Sequence, residues 1–202
     1  MEKQRCNWGN LLTKDFYIDY HDREWGVPVH DDREHFEYLV LESFSCGLSW
    51  ALMLSKREIF RHCFAGFDFE SVACFTETDV RRILTAEGMI HSPRKVAATV
   101  SNAQQFVKIR HEWGTFDNYI WSFTKGKTLV YETHARHMPV RNALSDIVSK
   151  DMKEKGFKYV GSIIIYSHLQ AIGVINDHQI DCFRYGEVNR NAAVRFVKTP
   201  EI

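Results

Sequence analysis

Glu42 is the side chain whose setting most needs a chemical explanation. It lies in Leu41-Glu42-Ser43-Phe44-Ser45-Cys46-Gly47-Leu48-Ser49-Trp50, after Phe36, Leu39 and Val40 and before Phe44, which recur at helical spacing. A carboxylate in such company either faces solvent from the far side of the helix or is buried for a purpose. Burial without partners costs several kcal/mol or neutralises the group. Cys46-Gly47 then breaks the helix, Leu48 sits at the break, and Ser49 can N-cap a second helix carrying Trp50. An acid, a flat aromatic and an apolar residue on a tight turn could hold a flat, electron-poor ring and wedge something open beside it. A core corner with one exposed Glu accounts for the same spacing.

Three further constellations carry chemistry. His178 and Cys182 are four apart, so a helix over 176–183 would present both on one face, a pairing that suits Zn²⁺. Cys6 and His21 are plausible completers of a four-ligand site that would tie the N-terminal arm to the last helix; chance pairing among five Cys and ten His is the other reading. The second is a helix–hairpin–helix candidate over 77–95. Gly88 suits a left-handed cap, Ser92 an N-cap and Pro93 the first helical position, with Arg94 and Lys95 beside a helix start able to grip a phosphate. An ordinary helical hairpin explains that pattern equally. The third is His21-Asp22, a pair also found in metal-dependent phosphohydrolases, for which His62 and Asp79 would be the further ligands.

These groups must be positioned by a chain of 202 residues, 45% hydrophobic, with zero formal net charge. That is enough for one compact domain or two small lobes around a cleft. Residues 1–100 carry 12 Lys+Arg against 16 Asp+Glu and residues 101–202 carry 14 against 10, so −4 and +4, which leaves room for a local basic face. There is no apolar N-terminal run and no membrane-length stretch. Five cysteines, an odd number, with Cys46, Cys63 and Cys74 in apolar helical settings, point away from a disulfide framework and towards the cytoplasm.

An ordered aromatic arm (Trp8, Phe16, Tyr17, Tyr20, Trp25) precedes the first long helix. Helices are predicted over 33–45, 49–64, 69–74, 77–86, 92–111, 115–123, 142–155, 160–173 and 176–183, with 128–131 able to form a short extended piece and a loosely packed tail after Glu187. The fold class is all-α: a single domain over 1–186 and a C-terminal extension over 187–202.

Taken together, the chain resembles the DNA-3-methyladenine glycosylase I family of the helix–hairpin–helix glycosylases. The matching pieces are Arg5-Cys-Asn-Trp8, Tyr17 to Pro28, Leu41-Glu42 with Gly47-Leu-Ser-Trp50, Lys56-Arg-Glu58, Trp121-Ser-Phe123, Lys155 to Gly161, and Asn176-Asp-His178 with Cys182. The resemblance implies a monomeric, all-α, monofunctional repair enzyme acting on alkylated double-stranded DNA, cytoplasmic and nucleoid-associated during repair. It would hydrolyse the N-glycosidic bond of 3-methyladenine and leave an abasic site. Cys6, His21, His178 and Cys182 match the family's structural zinc ligands and Glu42 its base-reading carboxylate. Tyr20 and Trp50 match the pocket walls, with Tyr17, Trp8 and Trp25 nearby, and Gly47-Leu48 the turn that fills the gap in the duplex. Gly88, Ser92, Arg94 and Lys95 are the expected DNA-backbone contacts. The sequence departs from the family pattern at Ser45-Cys46, and the 77–95 hairpin lacks a Gly-x-Gly turn. A non-catalytic zinc-stapled helical DNA-binding module and the phosphohydrolase are the rival readings.

Overall fold

The computed structural model describes residues 3–132, 134 and 138–198. Its central element is a helix at Asp32–Ser45, here α2 after a short α1 at Asp15–Asp19. The Asp31 side chain accepts from Arg33 N and Glu34 N, satisfying two of the donors that a helix start leaves orphaned. Every residue from His35 to Phe44 is buried, so α2 is surrounded on all sides and lacks the one-sided apolar stripe of a surface helix. Its polar residues His35, Glu37, Glu42 and Ser43 therefore lie inside the protein.

Around α2 pack α3 (Trp50–Ser55), α4 (Arg57–Cys63), α7 (Pro93–Trp113), α8 (Phe116–Ser122) and α10 (Ser162–Ala171); α5 (Phe69–Ala73), α6 (Glu77–Thr85), α9 (Ala143–Glu154) and α11 (Phe183–Asn191) complete the helical set. The helix predicted over 49–64 is two helices, because Lys56 (φ −107°, ψ 5°) leaves helical geometry between them. Pro93 occupies the first position of α7 behind Ser92, as its fixed φ favours. Phe106 of α7 stacks on Phe116 with ring centroids 4.0 Å apart in the core.

Three expectations change. Residues 176–183 do not form a helix; Cys182 is the extended residue (φ −71°, ψ 134°) that precedes α11. Residues 187–198 carry regular structure where a loose tail is expected: α11 continues to Asn191 with Val188 buried, and β2 (Val194–Val197), half-buried to exposed, pairs in parallel with β1 (Thr128–Tyr131). The last residues of the expected extension, 199–202, lie outside the described residues. Of the cysteines expected in apolar settings, Cys63 is buried but Cys46 and Cys74 are exposed.

The aromatic arm is helical after all, in pieces too short to show a period: a 3₁₀ turn at Gly9–Thr13, then α1, then a π turn at Tyr20–Glu24. Gly26 N donates to Gln170 O at 3.0 Å and Val29 N to Ile172 O at 3.1 Å, laying the end of the arm along the end of α10. Gly173 (φ +73°) permits that approach, since a Cβ there would run into the backbone of Val27 and Pro28.

One core residue makes a specific acid-stability prediction. His168 is fully buried with neither ring nitrogen hydrogen-bonded, and burial first, then His35, pushes its pKa down to about 3. The unfolded chain takes up that proton near pH 6.5. The unfolded state thus binds more protons between pH 6.5 and 3, and stability is lost as pH falls through that window. His168→Leu should therefore lose about 3 kcal/mol less between pH 7 and 4 than the wild type. Urea unfolding at both pH values measures this; equal losses in the two proteins would refute it.

Candidate active site and metal centre

α2 carries Glu42 to the floor of a cavity of about 990 Å³. Trp8, Tyr17, Tyr20, Trp25 and Trp50 line it, together with Ser45, Gly47 and Leu48, so every base-pocket and wedge residue expected from the sequence converges there. Tyr20 and Trp50 stand 5.5 Å apart between ring centroids at an interplanar angle of 59°. Trp8 braces this wall, edge-on to Tyr17 at 5.5 Å and to Trp25 at 4.6 Å.

Glu42 is 3% exposed. Ser45 Oγ lies 3.4 Å from its Oε2 while donating to the Glu42 carbonyl at 2.8 Å. Among the described residues no cation is paired with it. Burial pushes its pKa up to about 8, the Ser45 hydrogen bond opposing only in part. The Tyr17 and Tyr20 hydroxyls are pushed up as well, first by burial and then by the Glu42 charge, and stay neutral. The site thus offers one acceptor carboxyl, disposed towards whatever enters, between neutral aromatic faces.

At the mouth, the chain leaves α2 through Gly47 (φ +76°). Leu48 N donates to Ser45 O at 2.7 Å, and the Leu48 side chain is 39% exposed. Ser49 then caps α3 by accepting from Leu52 N at 3.2 Å. An apolar side chain is thus held outward on a rigid turn beside the opening.

Behind the aromatic wall, Cys6, His21, His178 and Cys182 converge, all buried, with their ligand atoms within 4.8 Å of one another. The same-face argument for His178 and Cys182 does not hold, because they flank a non-helical turn; the convergence comes from the fold. Cys6 Sγ is 3.5 Å from His178 Nδ1, and Cys182 Sγ is 3.6 Å from both His178 Nδ1 and His21 Nε2. The outer nitrogens are spoken for: His178 Nε2 is 2.9 Å from the Trp25 carbonyl, and His21 Nδ1 is 2.8 Å from Asp22, itself bridged by Arg5. Donation outward from His178 Nε2 and His21 Nδ1 turns the lone pairs of His178 Nδ1 and His21 Nε2 towards the cluster, the latter accepting a long contact of 3.4 Å from Cys6 N. The Cys182 thiol is held down by its hydrogen bond with Cys6 and then by His178 and His21, while Cys6 is pushed up by the same pairing and by burial. Two thiols sharing a proton between two imidazoles can bind a metal with proton release.

Pocket and cysteine–histidine cluster are joined through adjacent residues. Tyr20 faces the cavity and His21 faces the cluster, both on the π turn. The same turn is anchored from the other side: Arg57 Nη1 donates to Glu24 at 2.6 Å and Tyr38 OH to Glu24 at 2.7 Å, while Arg57 Nε also binds Glu37. The Lys56-Arg-Glu58 stretch therefore acts partly as a clamp on the pocket's front wall.

The other expected groups fall elsewhere. Among the described residues His62 is exposed and Asp79 accepts from Thr76 at the start of α6, so neither joins His21-Asp22. Gly88, Ser92, Arg94 and Lys95 do not line the cavity. Gly88 has the expected left-handed φ (+75°), but its carbonyl is taken by Lys56, and the Lys95 ammonium points inward to carbonyls of the α2 end. The sequence reading leaves out the far side of the cavity, which is lined by Arg141 just before α9, Lys153 near the end of α9, Gly161 on the turn joining α9 and α10, and Ser162 at the start of α10. The run Lys155-Gly-Phe-Lys-Tyr-Val-Gly161 between two helical patterns was its signal. Asn102 pins that turn, accepting from Lys158 N at 2.7 Å and donating to Lys158 O at 2.9 Å.

Comparison with known proteins gives one consistent result. The methyladenine glycosylase family matches residues 8–185. DNA-3-methyladenine glycosylase 1 of Escherichia coli is 39% identical over 183 residues, covering 90% of this chain and 97% of that protein. The DNA-3-methyladenine glycosylase of Haemophilus influenzae is 35% identical over 179 residues, covering 88% and 96%. A solved 3-methyladenine DNA glycosylase I in complex with 3-methyladenine superposes with a TM-score of 0.83 at 35% identity, covering 89% of this chain and 96% of that one. With the match running from Trp8 in the aromatic arm into α11, over the pocket and three of the four cluster residues (His21, His178 and Cys182), the chain belongs to the methyladenine glycosylase family.

Proposed function

We infer that this protein is a DNA repair glycosylase that hydrolyses the N-glycosidic bond of 3-methyladenine in alkylated DNA, leaving an abasic site. The observation that carries the reading is Glu42: a buried carboxyl with no cation paired to it among the described residues, at the floor of an aromatic slot. Methylation at N3 makes the attached adenine cationic and a good leaving group, so the lesion itself removes much of the barrier. A base must leave the stack before excision, at a cost of a few kcal/mol that an inserted Leu48 partly offsets. Stacking on the Tyr20 and Trp50 rings favours a cation over a neutral ring, and Glu42 accepts hydrogen bonds from the base edge. Cleavage neutralises the base, so attraction to the ground state alone does not accelerate it. The remaining work is distortion of the nucleotide and stabilisation of the sugar's developing charge by the neighbouring DNA phosphates.

The cluster behind the wall is read as a structural zinc site. Tetrahedral Zn²⁺ with Zn–S near 2.3 Å and Zn–N near 2.05 Å places sulfur and nitrogen about 3.6 Å apart, which agrees with the 3.5–3.6 Å separations here. Four protein ligands leave no position for a water, so the metal supplies rigidity and the chemistry belongs to the pocket. The proposed path of the DNA backbone runs past the α9–α10 turn: Gly161 and Ser162 open α10, and Arg141 and Lys153, before and within α9, line the same cavity and supply positive charge. The duplex then lies across a single two-lobed domain that acts as a cytoplasmic monomer. Among the described residues no helix is long and apolar enough to cross a membrane.

Release of 3-methyladenine from methylated duplex DNA, with the products identified, tests the activity. Borohydride should trap no covalent adduct, since hydrolysis uses water. Binding without release of any base would favour the non-catalytic module instead.

The pocket also predicts a pH dependence. With its pKa near 8, Glu42 is protonated in the free enzyme at neutral pH. A bound cation selects the carboxylate and releases the proton, so cation binding tightens as pH rises from 6 to 8, by up to tenfold per unit, and levels off above 8. Tryptophan fluorescence titration with 3,9-dimethyladeninium, a permanent cation carrying a methyl in place of the sugar, reads this out. A flat profile over that range would contradict the assigned charge state.

A further inference from the structure

Lys95 was expected at the DNA backbone, yet its ammonium is directed into the protein. Nζ donates to Phe44 O and to Cys46 O, both at 2.6 Å, and lies 5.9 Å from the Phe44 ring. Those carbonyls belong to the end of α2, where a helix leaves acceptors unsatisfied and favours a cation. They also bracket Ser45 and stand directly before Gly47-Leu48. The Cys46 backbone (φ −52°, ψ 110°) is already out of the helix, so Lys95 holds the departure of the chain and not merely its last turn. A second lysine ties the neighbouring segments: Lys56, between α3 and α4, donates to Gly88 O in the turn before α7.

Building on the reading of the chain as a base-excising glycosylase, we propose that Lys95 is a positioning residue for the duplex-opening turn. It pins the carbonyls on either side of Ser45 so that Leu48 stays projected at the cavity mouth. No packing supports Gly47 itself, since a Cβ there would meet nothing within 4 Å. The stiffness is supplied by the cross-tie from α7. The 77–95 hairpin thus contributes to DNA opening from behind, without contacting the backbone through Lys95.

The test compares wild type, Lys95→Met, Lys95→Arg, Leu48→Ala and the Lys95→Met/Leu48→Ala double variant. Single-turnover release of 3-methyladenine from duplex DNA is followed at several salt concentrations, alongside 3,9-dimethyladeninium binding. Lys95→Met should lower excision by about 10- to 100-fold, the scale of misplacing a reacting group by an ångström. Cation binding should stay within about twofold of wild type, which also shows that the fold is intact. Lys95→Arg, which keeps donors and charge, should recover part of the loss. The double variant should lose no more than about twofold beyond the worse single one, because both act through one turn. A salt slope reduced by about one in Lys95→Met would mean a phosphate contact and would overturn the proposal. Multiplicative losses or wild-type excision by Lys95→Met would do the same. Should the wild type release no base at all, the glycosylase reading fails before Lys95 is reached.

Discussion

Glu42→Gln lowers 3-methyladenine excision about 100-fold or more, the scale of removing one preorganised electrostatic contact from a water-excluded site, and at the same time makes the protein more stable. The stability half follows from the same burial. A Glu whose folded pKa is raised from 4.5 to about 8 binds more protons folded than unfolded between those values. Stability is therefore lost as pH rises through that window, and by pH 8 the buried acid costs on the order of a few kcal/mol. Gln keeps the shape and removes the titration. Its denaturation midpoint should exceed that of the wild type at pH 8 and converge with it near pH 4. A loss of stability at pH 8 would show Glu42 to be a structural acid with a partner.

Metal removal should have the largest effect on the fold. Cys182→Ser, or stripping with a strong chelator, is expected to cost about 3–5 kcal/mol and lower Tm by roughly 10 °C for a chain of this size. The loss is not uniform. The arm from Cys6 to Trp25 carries Tyr17, Tyr20 and two of the ligands, so hydrogen exchange should rise there first. Base binding should fall through disorder of the wall, with Glu42 untouched. Re-addition of zinc restores both Tm and binding in the chelated wild type and only partly in Cys182→Ser. One zinc per chain by metal analysis is the accompanying result. A metal-free protein with unchanged Tm and full base binding would show the cluster to be a fortuitous meeting of thiols and imidazoles.

The pocket was legible because its residues sit on strongly patterned elements. Glu42 interrupts an apolar helix, and Gly47-Leu48-Ser49-Trp50 spells a break followed by a cap. Residue type and likeness to a family single out the four cluster residues, and the structure brings them together; the same-face spacing of His178 and Cys182 does not explain it, because 176–182 turns where a helix is expected. The arm's helices escaped notice, since pieces of five residues have no period to read. The tail was misjudged because β2 gains its order from β1, some sixty positions earlier, and no local pattern records that pairing. The hairpin is the instructive case. Gly88, Ser92 and Pro93 have the backbone roles expected of them, and only the direction of Lys95 and the place of the cavity mouth, both tertiary facts, move the proposed DNA path to the α9–α10 turn.

If the proposed function is right, the buried carboxylate of Glu42 makes this pocket select a positively charged purine. The direct measurement is the affinity of 3,9-dimethyladeninium relative to neutral 9-methyladenine at pH 8, in wild type and in Glu42→Gln. The wild type should prefer the cation by at least about tenfold, the scale of a charge-assisted hydrogen bond, and the preference should collapse in the variant. Equal affinity for the two purines in the wild type, or a preference that survives the loss of the carboxylate, would contradict it.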